Sequence, residues 1–207
     1  MALVELLLAA TALAVGLDAL VEFGDLQCPV CASFSADALP KLLSSYVRTE
    51  ELRIVFKPMD FIGEESLKAA RMAGALAEQG RAWQFIDLMY RNQASENTGY
   101  VTSTYLKAIA DAIPGVDLHA AVKALDTSRV NAEIARATAE ANRLHISATP
   151  GFVLMRTGGT GHRFEPSSVL DSASFARPIE RLLHEPKPPG GASKSPGGAS
   201  KPHKHGG

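Results

Sequence analysis

The chain has 207 residues, a formal net charge of −1 and 46% hydrophobic residues. That is enough apolar material for a sizeable core, in one large domain or a small domain with an insertion, and no disulfide staple is needed for stability. The charge balance lacks the basic excess of a nucleic-acid surface, and the short mixed charge runs fit a solvated face, so no nucleic-acid partner is expected.

Residues 1–17, "MALVELLLAATALAVGL", are apolar but interrupted by Glu5. The run is short for a membrane span. Ala12-Leu13-Ala14 suits a signal peptidase, yet no Lys or Arg precedes the apolar run. A degenerate export or anchor signal, an ordinary buried segment and a piece of a longer N-terminus all remain open.

From Ala19 to Phe23, "ALVEF" reads as a short buried strand, and Gly24 to Gln27 as a turn. Pro29 starts a helix, since proline suits the first helical turn. Phe34, Ala38 and Leu42 share one face, and Pro40 is expected to kink the helix. "LRIVF", Leu52 to Phe56, is the next strand, with Pro58 expected to end it. A block of helices follows, about residues 64–145. In "EESLKAARMAGALAEQ", Leu67, Ala70, Ala73 and Ala77 form a close-packing face, and Gly80 is a stop. "RAWQFIDLMYRNQ" sets Trp83, Ile86 and Tyr90 on a core stripe. "STYLKAIADAI" and "DLHAAVKAL" continue around Pro114-Gly115, and "SRVNAEIARATAEANRL" turns Ile134, Ala137, Ala141 and Leu144 inward.

The period then switches. "GFVLM", Gly151 to Met155, is a strand, "TGGTG" a turn, and His162 to Glu165 pairs back as a hairpin. "ASFARPIERLLH" is a last helix, with Pro178 tolerable only in its first turn. Residues 185–207 repeat PGGASK and offer nothing apolar beyond alanine and proline, so a disordered tail is expected, with no structured metal role for His203 and His205. Residues 18–184 therefore read as one α/β domain with a helical insertion subdomain.

Cys28 and Cys31 are the chain's two cysteines, in "EFGDLQCPVCASF". At a strand-to-helix junction the first sulfur meets unpaired N–H groups and the positive end of the helix dipole, which stabilise a thiolate. A thiolate is the nucleophile of disulfide exchange, and Cys31, one turn on, is placed to attack a mixed disulfide on Cys28. A C-x-x-C alone is half of a four-ligand metal set, and so short a loop gives little entropic stapling. A redox pair is the favoured reading, with no metal and no organic cofactor. Pro29 and Val30 lie between the sulfurs and tune them. Val30 brings no charge or donor, so the Cys28 pKa is expected to fall less than a histidine there would cause.

"VEFGDLQCPVCASF" resembles the active-site segment of DsbA-like thiol:disulfide oxidoreductases of the thioredoxin superfamily. "FIGEESLKAARMAGALAEQGRAWQFIDLMYRNQ" resembles that family's helical insert, and "HISATPGFVL" its cis-proline loop. The resemblance covers about Ala19 to Leu183 and implies a thioredoxin-like fold with a helical insertion. It implies that Cys28 is the exposed nucleophile and Cys31 the buried resolving cysteine. Pro150 would be the cis-proline beside the sulfurs. Thr149, with Pro29 and Val30, would meet an extended substrate. Glu22, six residues before Cys28, matches a buried acid that exchanges a proton with Cys31, with an exposed edge glutamate as the alternative. Lys57 would pair with Glu22. Three departures stand out: a strand usual before "VEF" has only the apolar run to form it, Ala148 replaces a common glycine, and the dipeptide lacks the histidine of strong oxidants.

The expected activity is thiol:disulfide exchange with protein or peptide thiols, as an oxidant in extracytoplasmic folding. A quinone-coupled membrane partner would reoxidise a monomer of the periplasm or cell envelope. A reductase or isomerase working from the dithiol, a redox-inert peptide-binding module, and a cytoplasmic location are the alternatives.

Overall fold

The computed structural model describes residues 4–5 and 17–184. The expectations for the rest of the apolar leader and for the tail at 185–207 lie outside the described residues. One mixed sheet runs in the order β1 (Val4–Glu5), β3 (Leu52–Met59), β2 (Asp18–Asp25), β4 (Gly151–Met155), β5 (Gly161–Phe164). β1 and β2 lie parallel to β3, while β2–β4 and β4–β5 are antiparallel. Val4 and Glu5 thus supply a two-residue strand within the apolar run, opposite Ile54 and Val55.

Two strands outrun their expected ends. β2 carries on through Gly24 and Asp25, and β3 passes through Pro58, which sits opposite Gly24. Among the described residues, β1 pairs with β3 at Ile54 and Val55 and does not reach Pro58. Proline is tolerated in a strand with an open side, so Pro58 does not stop it. After α1 (Pro29–Asp37) the helix breaks at Ala38 rather than bending at Pro40. α2 (Leu39–Leu42) restarts with Pro40 in its first turn and passes into a π-helical turn, Leu43–Val47.

Between β3 and β4 lie α3 (Glu64–Ala77), α4 (Ala82–Arg91), α5 (Ser103–Asp111), α6 (Leu118–Ala124) and α7 (Ser128–Arg143). Side-chain caps from Thr102, Asp117 and Thr127 satisfy the first free N–H groups of α5, α6 and α7. α3 is buried on more than its predicted face: Ser66, Ala69, Met72, Gly74, Ala75 and Leu76 are all covered. Its small residues let neighbours approach on several sides, and Val130 of α7 lies where a side chain on Gly74 would stand. α3 to α7 form the helical insertion.

α8 (Ala173–His184) returns to the sheet through Phe175 and Ile179. Pro178 lies in the helix interior, not in its first turn. The burial of Phe175 against Phe34, Phe152 and Phe164 holds the helix despite the lost hydrogen bond. Alternation along β2 sends Leu20 to the α1 and α8 side and Ala19, Val21 and Phe23 to the α7 side. No helix among the described residues is long and apolar enough to cross a membrane.

Candidate active site

β2 ends at Asp25, and a turn through Leu26 and Gln27 brings the Cys28 N–H to the Asp25 carbonyl at 3.0 Å. Cys28 is the N-cap of α1, and Pro29, with no N–H to satisfy, takes the first helical position. The Cys28 Sγ accepts the Cys31 N–H at 3.4 Å, and it lies 3.3 Å from the Thr149 carbonyl oxygen, to which the protonated thiol donates. Both cysteines are free thiols. Cys31 is wholly buried and Cys28 is 5% exposed, so Cys28 is far less open than expected. The Thr149 segment closes over it, and Leu26 and Phe56 share its core cluster. Pro29 and Val30 remain exposed beside it, Val30 by 44%.

The environment splits the two thiols. Cys28 is lowered from 9.0 to about 6, chiefly by a hydrogen bond from the Cys31 side chain. Burial opposes this, while the Thr149 side chain and the N–H groups of Cys31 and Val30 support it. Cys31 is pushed well above the usual thiol range, first by burial and then by its bond to Cys28 and the charges of Glu22 and Cys28. One sulfur carries the thiolate near neutrality and the other keeps its proton.

Glu22 is buried on the α1 side of the sheet, and burial, reinforced by Cys28, raises its carboxyl from 4.5 to about 8. The alternative of an edge glutamate reaching water is thereby set aside. Its Oε1 has no hydrogen-bond partner among the described residues. Lys57 does not pair with it. Glu22 is level with Phe56, whereas Lys57 is level with Phe23 and points to the opposite face, where it binds Glu140 of α7. Successive strand residues alternate faces, so two adjacent rungs cannot meet.

The loop before β4 supplies the site's other wall. The Thr149–Pro150 peptide bond is cis. Ala148 needs no left-handed conformation, because His145 takes the positive φ of this loop, at 54°. Among the described residues, no group of three or more His, Cys, Asp or Glu side chains is gathered to hold a metal ion.

Sequence reasoning missed a polar network directly under the turn. The Asp25 carboxylate accepts from the Gln27 N–H, the Ser66 hydroxyl and the Ile62 N–H. Gln27 donates to Ser66 and accepts from the Asn97 N–H. Two polar residues, Asp25 and Gln27, just ahead of Cys28 were the available signal. Their partners lie about forty or more positions away, beyond any local pattern.

A helix-capping C-x-x-C beside a cis-proline loop, on this sheet with a helical insertion, defines a protein of the thioredoxin fold. The family model described as thioredoxin matches residues 16–163, more than half of the chain, and the chain belongs to that family. It is 28% identical over 133 residues to the probable disulfide bond formation protein D of Bacillus cereus, covering 63% of this chain and 62% of that one. The disulfide bond formation protein D of Bacillus subtilis is 24% identical over 136 residues, covering 63% and 60%. The chain thus spans about six tenths of the length of these curated relatives. Among solved structures, oxidised BdbD of Bacillus subtilis superposes with a TM-score of 0.70 at 20% identity, covering 81% of this chain and 88% of that one. DsbA of Xylella fastidiosa gives 0.65 at 20% identity, covering 84% and 89%. At these identities the superpositions speak for the fold.

Proposed function

We propose that this protein is a thiol:disulfide oxidoreductase acting on protein or peptide thiols, as an oxidant in extracytoplasmic protein folding. The observation that carries this reading is the Cys28 sulfur at the head of α1, bonded to the Cys31 N–H and holding its proton far less tightly than Cys31 does.

In the disulfide form, a substrate thiolate attacks Cys28 Sγ. The Cys28–Cys31 bond breaks, a substrate–Cys28 disulfide forms, and Cys31 leaves as a thiolate. That buried thiolate takes a proton, and Glu22, raised to about 8 by burial, supplies it from beneath. A second substrate thiolate attacks the substrate sulfur of the mixed disulfide. The substrate departs with its own disulfide and Cys28 departs as a thiolate, so two electrons have passed to the pair. Thr149 offers its backbone to an extended substrate beside Cys28, with Pro29 and Val30 on the exposed side.

Cys28 supports the oxidising direction. Stabilising the thiolate stabilises the dithiol and makes the disulfide a stronger oxidant. The names of the Bacillus relatives support the same direction. A quinone-coupled membrane partner reoxidises the monomer in the cell envelope.

The test is the Cys31→Ser variant in the presence of reduced protein substrates, together with the reduction potential of the unaltered pair. Stable mixed disulfides on Cys28 and a potential well above thioredoxin's, about −270 mV, are expected. A potential at or below that value makes the protein a reductase. Full biological activity of Cys28→Ser makes it a redox-inert peptide binder.

A further inference from the structure

The Asp25 and Leu26 carbonyls and the Asp25 and Gln27 side chains, all just ahead of Cys28, are hydrogen-bonded to the helical insertion or the loop leading into it. The Asp25 carbonyl, which accepts the Cys28 N–H at 3.0 Å, also accepts the Tyr90 hydroxyl of α4 at 3.3 Å. The Leu26 carbonyl accepts from the Gln93 side chain at 3.0 Å. The Asp25 carboxylate accepts from Ser66 of α3 at 2.6 Å, from the Gln27 N–H at 2.9 Å and from the Ile62 N–H at 3.0 Å. Gln27 joins in through Ser66 at 2.9 Å and the Asn97 N–H at 3.1 Å. Asp25, Gln27 and Ser66 are completely buried, so water does not compete for the bonds among these three.

We propose that Asp25 and Ser66 are positioning residues for Cys28: their buried hydrogen bond ties α3 to the turn that holds the sulfur over the start of α1, so the helical insertion sets how the pair exchanges. The inference rests on the redox reading above. Its physical basis is distance dependence. The bond from the Cys31 N–H to Cys28 Sγ exists only while this turn keeps the sulfur over the helix end, and hydrogen bonds weaken steeply as geometry slackens. Losing the Ser66 hydroxyl leaves both Asp25 and Gln27 short of a buried partner, and the turn is what can move to recover one.

Asp25→Asn separates position from charge. Asp25 Oδ1 faces the Gln27 N–H and Oδ2 faces the Ile62 N–H. Whichever way the amide of Asn lies, its NH₂ meets one of these donors and a bond is lost. Removing a negative charge without moving the turn would instead make the Cys28 thiolate easier to form.

The experiment uses the full chain and reads two quantities: the Cys28 pKa from thiolate absorbance, and the equilibrium of the pair with glutathione. Ser66→Ala is expected to raise the Cys28 pKa by about one unit, a tenfold tighter hold on the proton, and to shift the glutathione equilibrium toward the disulfide. Ser66→Thr, which keeps the hydroxyl, restores both readouts. Asp25→Asn moves them in the same direction as Ser66→Ala. Ile134→Val, a core change in α7, lowers the melting midpoint and moves neither. If Ser66→Ala does not fold, Gln27→Met takes its place with the same expected direction. The proposal is overturned if the network variants lose thermal stability but keep the unaltered pKa and equilibrium, or if Asp25→Asn lowers the pKa. Oxidation of a reduced unfolded protein by the unaltered chain is assayed alongside. Its failure with shifted readouts sinks the oxidant reading alone, and its success with unshifted readouts sinks the positioning role alone.

Discussion

Glu22 and Phe56 stand level on neighbouring parallel strands, so the carboxyl lies against an aromatic ring and has no cation across the rung. Its Oε1 is buried without a hydrogen-bond partner among the described residues, and burial, reinforced by Cys28, raises the acid to about 8 in the dithiol. A carboxyl in this state is neutral at physiological pH and can give a proton to a departing Cys31 thiolate.

The pH dependence of stability in the oxidised protein tests this state, because Cys28 does not titrate there. The folded pKa of Glu22 lies above its unfolded value of 4.5. Its contribution is therefore complete below about pH 4.5 and lost as pH rises through the folded value, which in the oxidised protein burial alone keeps raised, without the Cys28 charge that helps bring it to about 8 in the dithiol. Glu22→Gln should flatten that decline in urea melts and slow the release of Cys31 during exchange. An unchanged decline in the variant would show that another group is responsible.

Alkylation of the reduced protein should rise with pH around a midpoint of about 6, at Cys28 alone, with Cys31 silent in the neutral range. The folded value lies below the ordinary 9.0. The reduced form is therefore stabilised fully above about pH 9, and this is lost as pH falls through about 6. A histidine at position 30 (Val30→His) should bring the midpoint lower. A midpoint near 9 in the unaltered protein would mean that the helix end does not activate the sulfur.

Gly24→Ala should disturb Glu22 directly. A Cβ at position 24 would stand 2.4 Å from Phe56 Cε2 and 3.0 Å from Glu22 Oε1. Overpacking of this kind costs about 1–3 kcal/mol. Denaturant unfolding should show that loss, and the Glu22-dependent limb of the pH–stability curve should shift with it. A variant as stable as the parent would mean that the ring and the carboxyl have room to move.

Phe175→Ala should be among the most destabilising single changes in α8. The ring is fully buried, with centroids 4.9 Å from Phe152, 5.5 Å from Phe34 and 5.7 Å from Phe164. Truncating such a phenylalanine costs about 3–5 kcal/mol. The measurement is the denaturation midpoint at an unchanged slope, and a loss under 1 kcal/mol would contradict the claim that this ring holds α8 with its interior Pro178.

Local chemistry was legible from the amino acids alone. Two cysteines spaced by Pro-Val at a strand-to-helix junction, with proline at the first helical position, specify a capped sulfur because helix ends have unpaired donors whatever surrounds them. The period of two in "GFVLM" and of about four in the insertion marked the elements for the same kind of reason. Other features depended on which chain segments meet. Rung by rung, the pairing of β2 with β3 sent Lys57 to Glu140 and left Glu22 facing Phe56. Folding of the insertion brought Ser66 and Asn97 to Asp25 and Gln27, and brought the Thr149 carbonyl over Cys28. That one sulfur sits on a helix end is written in the local order of the amino acids. How tightly that sulfur holds its proton depends on the folded arrangement, because burial and long-range partners are set by packing and not by local spacing.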